Sequence, residues 1–322
     1  MSQPKELRSG LWEKLLTQAL TLMDEVATHG MSDPFFTFGG GTVLMLRHNH
    51  RLSKDIDLFV PSPQMLGYVS PRLSSVAEEI CNGDYKESFN YVKLEANEGQ
   101  IDVVASPNLL PDANAFETWQ LFDRSVRVET AAEIVSKKMY HRGDQGTARD
   151  LFDLSLVIER EPGELEVARP FLYRHLDALA NALESPSQLT KMKERFDGIM
   201  TLDYAPPFEH VVDVVRSHLQ GLQARREQSA EQARAFVADS GLGLQQTDAA
   251  KGEYCGPIIH RTERHAVQNI GRNEAVVHDV AALGYHDSNA FKPTDALLRV
   301  RYQDGQASLG SVSKTNTASK RI

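Results

Sequence analysis

Asp55 and Asp57 flank Ile56 in the stretch Lys54-Asp55-Ile56-Asp57-Leu58-Phe59-Val60. Alternate side chains of an extended chain share a face, so this spacing sets both carboxylates on one side and Ile56 in the core. Two neighbouring carboxylates repel unless a cation lies between them. Oxygen-only ligands favour Mg²⁺, held by a few carboxylates together with substrate phosphates. Upstream lies Gly39-Gly40-Gly41, then Thr42, with thirteen residues separating Gly41 from Asp55. Glycines let a backbone turn approach a phosphate closely, and Thr42 at a helix start adds a hydroxyl beside free amide N–H groups. Neither a glycine turn nor an Asp-x-Asp is specific alone. Together, with the acids in an apolar strand, they are the parts that nucleotidyl transfer needs. Dinucleotide and Walker-type sites are excluded, because neither GxGxxG nor GxxxxGK[ST] occurs at this turn.

These residues need a strand, a turn, a short helix and a second strand, and Thr37 to Val60 supplies that order. Apolar residues at helical spacing (Leu11, Leu15, Leu16, Ala19, Leu20, Met23) predict a helix within residues 1–30. Residues 64–83 also read as helical, broken near Pro71. Two alternating segments, Asn90 to Ala96 and Gln100 to Ala105, read as a hairpin turning at Asn97-Glu98-Gly99. Asp102 lies inside the second. A carboxylate in a core strand is costly unless it is paired or bound to a cation. Residues 111–125 read as a loop, and Arg127 to Thr130 as a last short strand. Thr130 with Glu133 forms a capping-box signal for the next helix.

The stretch GGGTVLMLRHNHRLSKDIDLF resembles motif I of the nucleotidyltransferase superfamily related to DNA polymerase beta. More narrowly it resembles the AbiEii/AbiGii toxins of type IV toxin–antitoxin and abortive-infection systems, which read GGTaLaLR…HRlSxDIDLF. The resemblance implies that Asp55 and Asp57 are metal ligands, with Asp102 as the third. It implies two Mg²⁺ ions (Mn²⁺ as the substitute) and an NTP substrate. Gly40, Gly41 and Thr42 would cradle phosphates, and Arg47, Arg51 and Ser53 would set substrate position. A second block, Glu133-Ile134-Val135-Ser136-Lys137-Lys138 followed by Arg149-Asp150-Leu151-Phe152-Asp153-Leu154, resembles the family pattern EIlaxKLxxxxxR…RDlxDl. On that alignment Lys138 falls on the functional lysine and Asp150 and Asp153 on the acids. A lysine supplies a point charge for the β- and γ-phosphates. Read alone, the block is better taken as a solvated salt-bridge cluster between two helices; beside motif I it is read as functional, and the choice between Asp150 and Asp153 stays open.

Beyond the core, residues 165–222 read as helices, with segments near 171–183, 187–200 and 208–222. Residues 223–250 read as a helical linker ending in a flexible joint. From Gly252 the pattern turns to short alternating strands with an Asp304-Gly305 hairpin signal. This part resembles the KfrB domain of plasmid and conjugative-element proteins. Gly256, Thr262, His265, Gln268, Gly271, Arg272, Val277, His278, Leu283, Tyr302, Asp304 and Gly305 carry the match. His260, His265 and His278 have no acids or cysteines at ligand spacing and read as satisfied polar side chains, not metal ligands.

The expected fold is therefore an α/β nucleotidyltransferase core with a small mixed sheet (1–160), then a helical segment packed on the core (161–222). A linker (223–250), a small β-rich module (251–312) and a disordered tail (313–322) follow. With 41% hydrophobic and 25% charged residues the chain reads as soluble and globular. No apolar run approaches a membrane span. A net charge of −9 argues against broad polyanion binding but allows a local basic groove. Cys81 and Cys255 are too few for a disulfide framework, which suits a reducing cytoplasm. The expected activity is transfer of NMP to an acceptor hydroxyl. By the resemblance that acceptor is the 3′ end of tRNA, in phage defence or plasmid maintenance, with a cognate antitoxin as partner. Two alternatives remain: transfer of a nucleotide or phosphate to protein, and a non-catalytic accessory role on a mobile element.

Overall fold

The computed structural model describes residues 4, 6–30, 33–282 and 291–311. Helix α1 (Trp12–Thr28) buries Leu15, Leu16, Ala19, Leu20, Leu22, Met23 and Val26 along one stripe. It starts later than the expected position 1, because Pro4 to Gly10 carries no apolar period. Strand β1 (Thr37–Gly39) runs straight into helix α2 (Gly40–His48), and β2 (Ile56–Val60) follows with a buried–open alternation. The region 64–83 divides into a 3₁₀ turn at Pro63–Met65 and two short helices, α3 (Leu66–Val69) and α4 (Ser75–Cys81), the second capped by the Ser74 side chain. A meander then runs through β3 (Tyr85–Ser88), β4 (Tyr91–Ala96) and β5 (Gly99–Ala105).

The expected loop at 111–125 is instead structured. A helical turn, α5 (Asp112–Ala115), leads into a hairpin of β6 (Phe116–Leu121) and β7 (Arg124–Glu129). Phe122 and Asp123 both take positive φ at its turn. Trp119 on β6 is fully buried, so the weak apolar signal there is compensated by one large side chain.

These strands form one mixed sheet in the order β3-β4-β5-β2-β1-β7-β6. Strand β2 is parallel to β5 and antiparallel to β1, and β1 is parallel to β7. Gly39 pairs with Asp57, and Asp57 with Asp102. One level of the sheet thus carries a glycine and two acids on adjacent strands.

Helices α6 (Ala131–Arg142) and α7 (Ala148–Arg160) come next. The Thr130 side chain caps α6, and Thr147 with Asp150 forms a reciprocal capping box on α7. The helical segment comprises α8 (Leu165–Leu172), α9 (Leu176–Glu184), α10 (Pro186–Phe196) and α11 (Phe208–Asp239). The first expected helix here is two, because the chain turns between Leu172 and Leu176. The chain at 200–203 runs along the loop after α2: Leu52 N–H donates to Met200 O, Leu202 N–H to His50 O and Asp203 N–H to Asn49 O.

The chain divides into two compact units between His218 and Leu219, within α11. The helical character expected of the linker thus continues the preceding helix unbroken to Asp239, since nothing in Gln223 to Asp239 is glycine or proline. In the second unit, Ala233 and Val237 of α11 pack on Val267 and Ala275. The strands there are β8 (Gly243–Gln245), β9 (Glu253–Gly256), β10 (Ile258–Arg261), β11 (His265–Gly271), β12 (Glu274–Asp279), β13 (Leu298–Gln303) and β14 (Gln306–Ser311). They form a four-stranded sheet, β10-β11-β12-β8, and a three-stranded sheet, β14-β13-β9. Asp304 and Gly305 turn the last hairpin at φ 49° and 83°, as the Asp-Gly signal predicts. Leu283 and the tail 313–322 lie outside the described residues.

Three of this module's signature residues, Gln268, His278 and Tyr302, form a buried hydrogen-bonded network. Gln268 Nε2 donates to the carbonyls of Gly256 (3.0 Å) and Leu298 (2.8 Å), leaving Oε1 to accept from His278 Nε2 (2.9 Å). That fixes the neutral tautomer, so His278 Nδ1 accepts from Tyr302 OH at 2.8 Å. His265 Nδ1 lies 3.1 Å from Ser229 Oγ on α11, and His260 stacks on Phe236 at 4.1 Å. All three histidines therefore have structural partners.

Candidate active site

A cavity of about 870 Å³ opens over the level where Gly39, Asp57 and Asp102 meet, large enough for a nucleotide. Ile56 is fully buried, while Asp55 and Asp57 both line the cavity, as the alternation requires. Asp57 and Asp102 stand side by side across the β2–β5 ladder. Burial first, and then the Asp102 charge, pushes the Asp57 carboxyl up to about 7. Asp102 is also raised by burial, against the pull of Lys93 Nζ at 2.8 Å from its Oδ2. Its Oδ1 is buried and has no hydrogen-bond partner. Asp55 Oδ1 accepts from the Gln100 amide at 3.1 Å. As placed, no three Asp, Glu, His or Cys side chains among the described residues converge in metal-binding geometry. The donor set nevertheless fits a hard cation. A buried carboxylate oxygen without a partner stands on the strand beside a carboxylate whose ionisation burial disfavours, and a divalent ion relieves both. Asp55 would join by releasing Gln100.

The glycine turn is shaped by what lies next to it. Gly40 takes φ +75°, and a Cβ there would fall 1.8 Å from Asp57 Oδ2. A Cβ on Gly41 would meet Arg51 Nη2 at 2.5 Å and Ser53 Oγ at 3.2 Å. Gly40, Gly41, Arg51 and Ser53 all border the cavity. Thr42 and Arg47 do not. The Thr42 hydroxyl donates to the Asp55 carbonyl at 2.6 Å and lies 3.0 Å from Ser53 Oγ. It pins the loop that carries the acids. Arg47 points the other way, donating from Nε and Nη2 to the Glu129 carbonyl (3.0 and 2.7 Å) and pairing with Glu117, its guanidinium 4.8 Å from the Trp119 ring centre.

The second block closes the opposite wall. Lys138 Nζ donates to Asp150 Oδ1 at 3.0 Å and to Asp153 Oδ2. Asp150 borders the cavity and also takes Arg142 Nη2 at 2.6 Å. Although burial alone would raise it, Lys138 and Arg142 hold the Asp150 carboxyl below its ordinary value. Asp153 lies one layer deeper, fully buried. Arg51 grips it with two bonds, Nε–Oδ1 at 2.7 Å and Nη2–Oδ2 at 2.8 Å, and His50 Nε2 lies 2.9 Å away. Against its burial, Arg51 and Lys138 hold Asp153 well below the carboxylate range. The two acids left open by the sequence thus divide the work: Asp150 orients Lys138 at the cavity, and Asp153 joins Lys138 to the loop bearing Arg51.

Other cavity residues were not singled out from the sequence. Glu129 and Lys137 form a buried pair beside Gly39, and Glu194, Arg195 and Gly198 come from α10 and the turn after it. Lys137 is adjacent to a lysine already chosen, and Glu129 directly precedes a helix cap. Neither carries a pattern of its own.

The family model described as nucleotidyl transferase AbiEii toxin, type IV toxin–antitoxin system, matches residues 21–245. The KfrB domain model matches residues 253–310. Among solved structures, a crystal structure of an H. pylori protein described as a nucleotidyltransferase is 18% identical. It covers 67% of this chain and 97% of its own, with a TM-score of 0.37, and no argument rests on it. No curated protein matches the chain.

Proposed function

The chain belongs to the AbiEii family of nucleotidyl transferase toxins of type IV toxin–antitoxin systems, and from this we propose a Mg²⁺-dependent transfer of NMP from NTP to the 3′ end of tRNA. The observation that carries the reading is the register Gly39–Asp57–Asp102 beneath the cavity. The left-handed Gly40 in the same turn leaves Asp57 uncovered. Asp57 and Asp102, joined by Asp55, would hold the divalent ions, Mg²⁺ or Mn²⁺. When bound, such ions lower the pKa of an acceptor hydroxyl and offset triphosphate charge during in-line displacement.

The chain's own residues do the rest. The amides at the start of α2 and the Gly40–Gly41 backbone approach the phosphates. Ser53 and the outer edge of Arg51 face the same space. Lys138, held by Asp150 and Asp153, offsets the charge that develops on departing pyrophosphate. The acceptor oxygen bonds to the α-phosphorus as the bond from that phosphorus to the β-bridging oxygen breaks. The proton leaves to solvent, because Asp57 and Asp102 would both be engaged by the ions. Blocked tRNA ends would stop translation, which suits growth arrest in phage defence, relieved by a cognate antitoxin.

The test incubates purified protein with each α-phosphate-labelled NTP, Mg²⁺ and total RNA, beside Asp57→Ala. Label in tRNA-sized RNA with wild type alone is expected. Label in polypeptide instead would move the acceptor to protein, and label in neither would sink the reading.

A further inference from the structure

The row of the sheet that carries Asp57 and Asp102 does not end at β5. Asp102 pairs with Lys93 on β4, and Lys93 with Lys86 on β3, the outermost strand. The next row on the same face runs Phe59, Val104, Tyr91, Ser88. Alternation puts Tyr85, Glu87, Val92 and Leu94 on the opposite face. There Val92 and Leu94 are buried, and Ser70, which follows α3, donates to Glu87 at 2.8 Å. Helices α3 and α4 contact β4, so they cover that second face. The face continuous with the cavity is open: Lys86 and Ser88 are exposed, Tyr91 and Lys93 half-buried.

Its groups are largely unanswered. Lys86 stands directly opposite Lys93, and like charges so placed repel. Asp102 answers Lys93 at 2.8 Å. Among the described residues Lys86 has no ion pair or hydrogen bond. The Tyr91 side chain likewise makes no hydrogen bond and no ring contact there. It adjoins Asn90 in the chain and pairs with Val104, and both of these border the cavity. Glu95, the acid at the far end of this stretch of β4, is held by Gln100 Nε2 at 2.9 and 2.8 Å. An open sheet face with a free aromatic ring and a free lysine, one row from the reacting acids, fits an unpaired nucleic-acid strand. Every base offers a flat face to stack, and each phosphate a charge for the lysine. A double helix fits less well, because its bases are already stacked on one another.

We propose that the open face of β3 and β4 guides the unpaired end of the RNA acceptor into the cavity, one base stacking on Tyr91 and a phosphate meeting Lys86. This rests on the reading of RNA as the acceptor. Strand β3 lies about 10 Å beyond β5, two strand spacings away. The track therefore takes a few unpaired nucleotides, and the stem of a folded RNA stays outside.

Fluorescence anisotropy on the full chain tests this with two synthetic RNA hairpins of the same stem, one blunt and one with a short unpaired 3′ extension. Wild type is expected to bind the extended hairpin tighter by about tenfold or more. Tyr91→Ala should abolish that difference, and Tyr91→Phe, which keeps the ring, should preserve it. Lys86→Glu should weaken the extended complex by about fivefold at low salt and hardly at all at high salt. NTP affinity, read by calorimetry, should be the same in all three variants. Equal binding of both hairpins by wild type overturns the proposal without any variant, so a Tyr91→Ala form that fails to fold does not shield it. Unchanged discrimination in folded Tyr91→Ala also overturns it. So does a Tyr91→Ala defect in NTP affinity alone, which would move Tyr91 to the nucleotide. Label transferred to RNA with no dependence on Tyr91 sinks the track alone. Binding that depends on Tyr91 without any transfer keeps the track and sinks the transferase reading. Wild type that labels polypeptide and binds neither hairpin sinks the track together with the RNA acceptor.

Discussion

A carboxylate set beside another carboxylate, with no cation between them, works against the fold that contains it. Asp57 is such a group, raised to about 7 by burial and by Asp102. A raised folded-state pKa means the native protein binds more protons than the unfolded chain, so stability falls as pH rises from the ordinary carboxylate value through 7. Asp57→Asn removes that charge. At pH 8 without divalent ions its Tm should exceed that of wild type while transfer is lost; a lower Tm would show that Asp57 is not strained. His278 has the opposite sign. Burial pulls it down to about 4, so the unfolded chain takes up the proton first and stability falls as pH drops from 6.5 toward 4. The expected loss is on the order of 3 kcal/mol at pH 4. A pH series of thermal melts, followed by signals from the second unit, should show it, and His278→Gln should flatten it.

The elements that matter most are the turn into α2 and the α6–α7 pair. Gly40 combines a left-handed φ with contact against Asp57, so Gly40→Ala is strained twice. Transfer should drop by at least about a hundredfold with secondary structure unchanged by circular dichroism, since displaced Asp57 loses its aim. Retained activity would place the phosphates elsewhere. Much of this was legible in the sequence. The glycine turn, the alternation around Ile56 and the N-cap at Thr130 each state a local rule that the backbone obeys, although the return half of the expected capping box does not form, the Glu133 carboxylate accepting instead from the Leu109 and Leu110 amides. What stayed hidden depends on register or on distance. Nothing in Gln100 to Ala105 says that Asp102 will stand opposite Asp57; only the ladder sets that. Arg47 sits between residues that face the cavity, and its turn toward Trp119 follows from a strand that the weak signal at 116–121 concealed. Arg195 reaches the cavity from 140 positions past Asp55, through a helix whose placement no local pattern encodes.

At the scale of the molecule, charge is the telling property. The chain carries −9 overall, yet Arg142, Arg149 and Arg195 border the cavity. On the proposed tRNA reading, attraction for the acceptor would be confined to a few phosphates near its reacting end. If these three arginines each meet one phosphate of a single strand, log K against log salt should slope at about −2. A slope near −6 would mean a far wider footprint. Among described residues no helix is long and apolar enough to cross a membrane. Every cavity-lining residue lies between Gly40 and Gly198, so a chain lacking residues 249–322 should still label RNA; abolished labelling would give the second unit a part in the chemistry.

Asp153 answers to three partners at once, Arg51, His50 and Lys138. The consequence concerns how such a sequence can drift. Losing Arg51, Lys138 or the acid itself leaves a buried charge short of its partner, and the cost is typically 3–5 kcal/mol. Neutral single steps away from this arrangement are closed, and change must come as coordinated replacement. A scan of all single substitutions should find positions 51, 138 and 153 among the least tolerant in the chain, with paired exchanges recovering more than their separate effects allow.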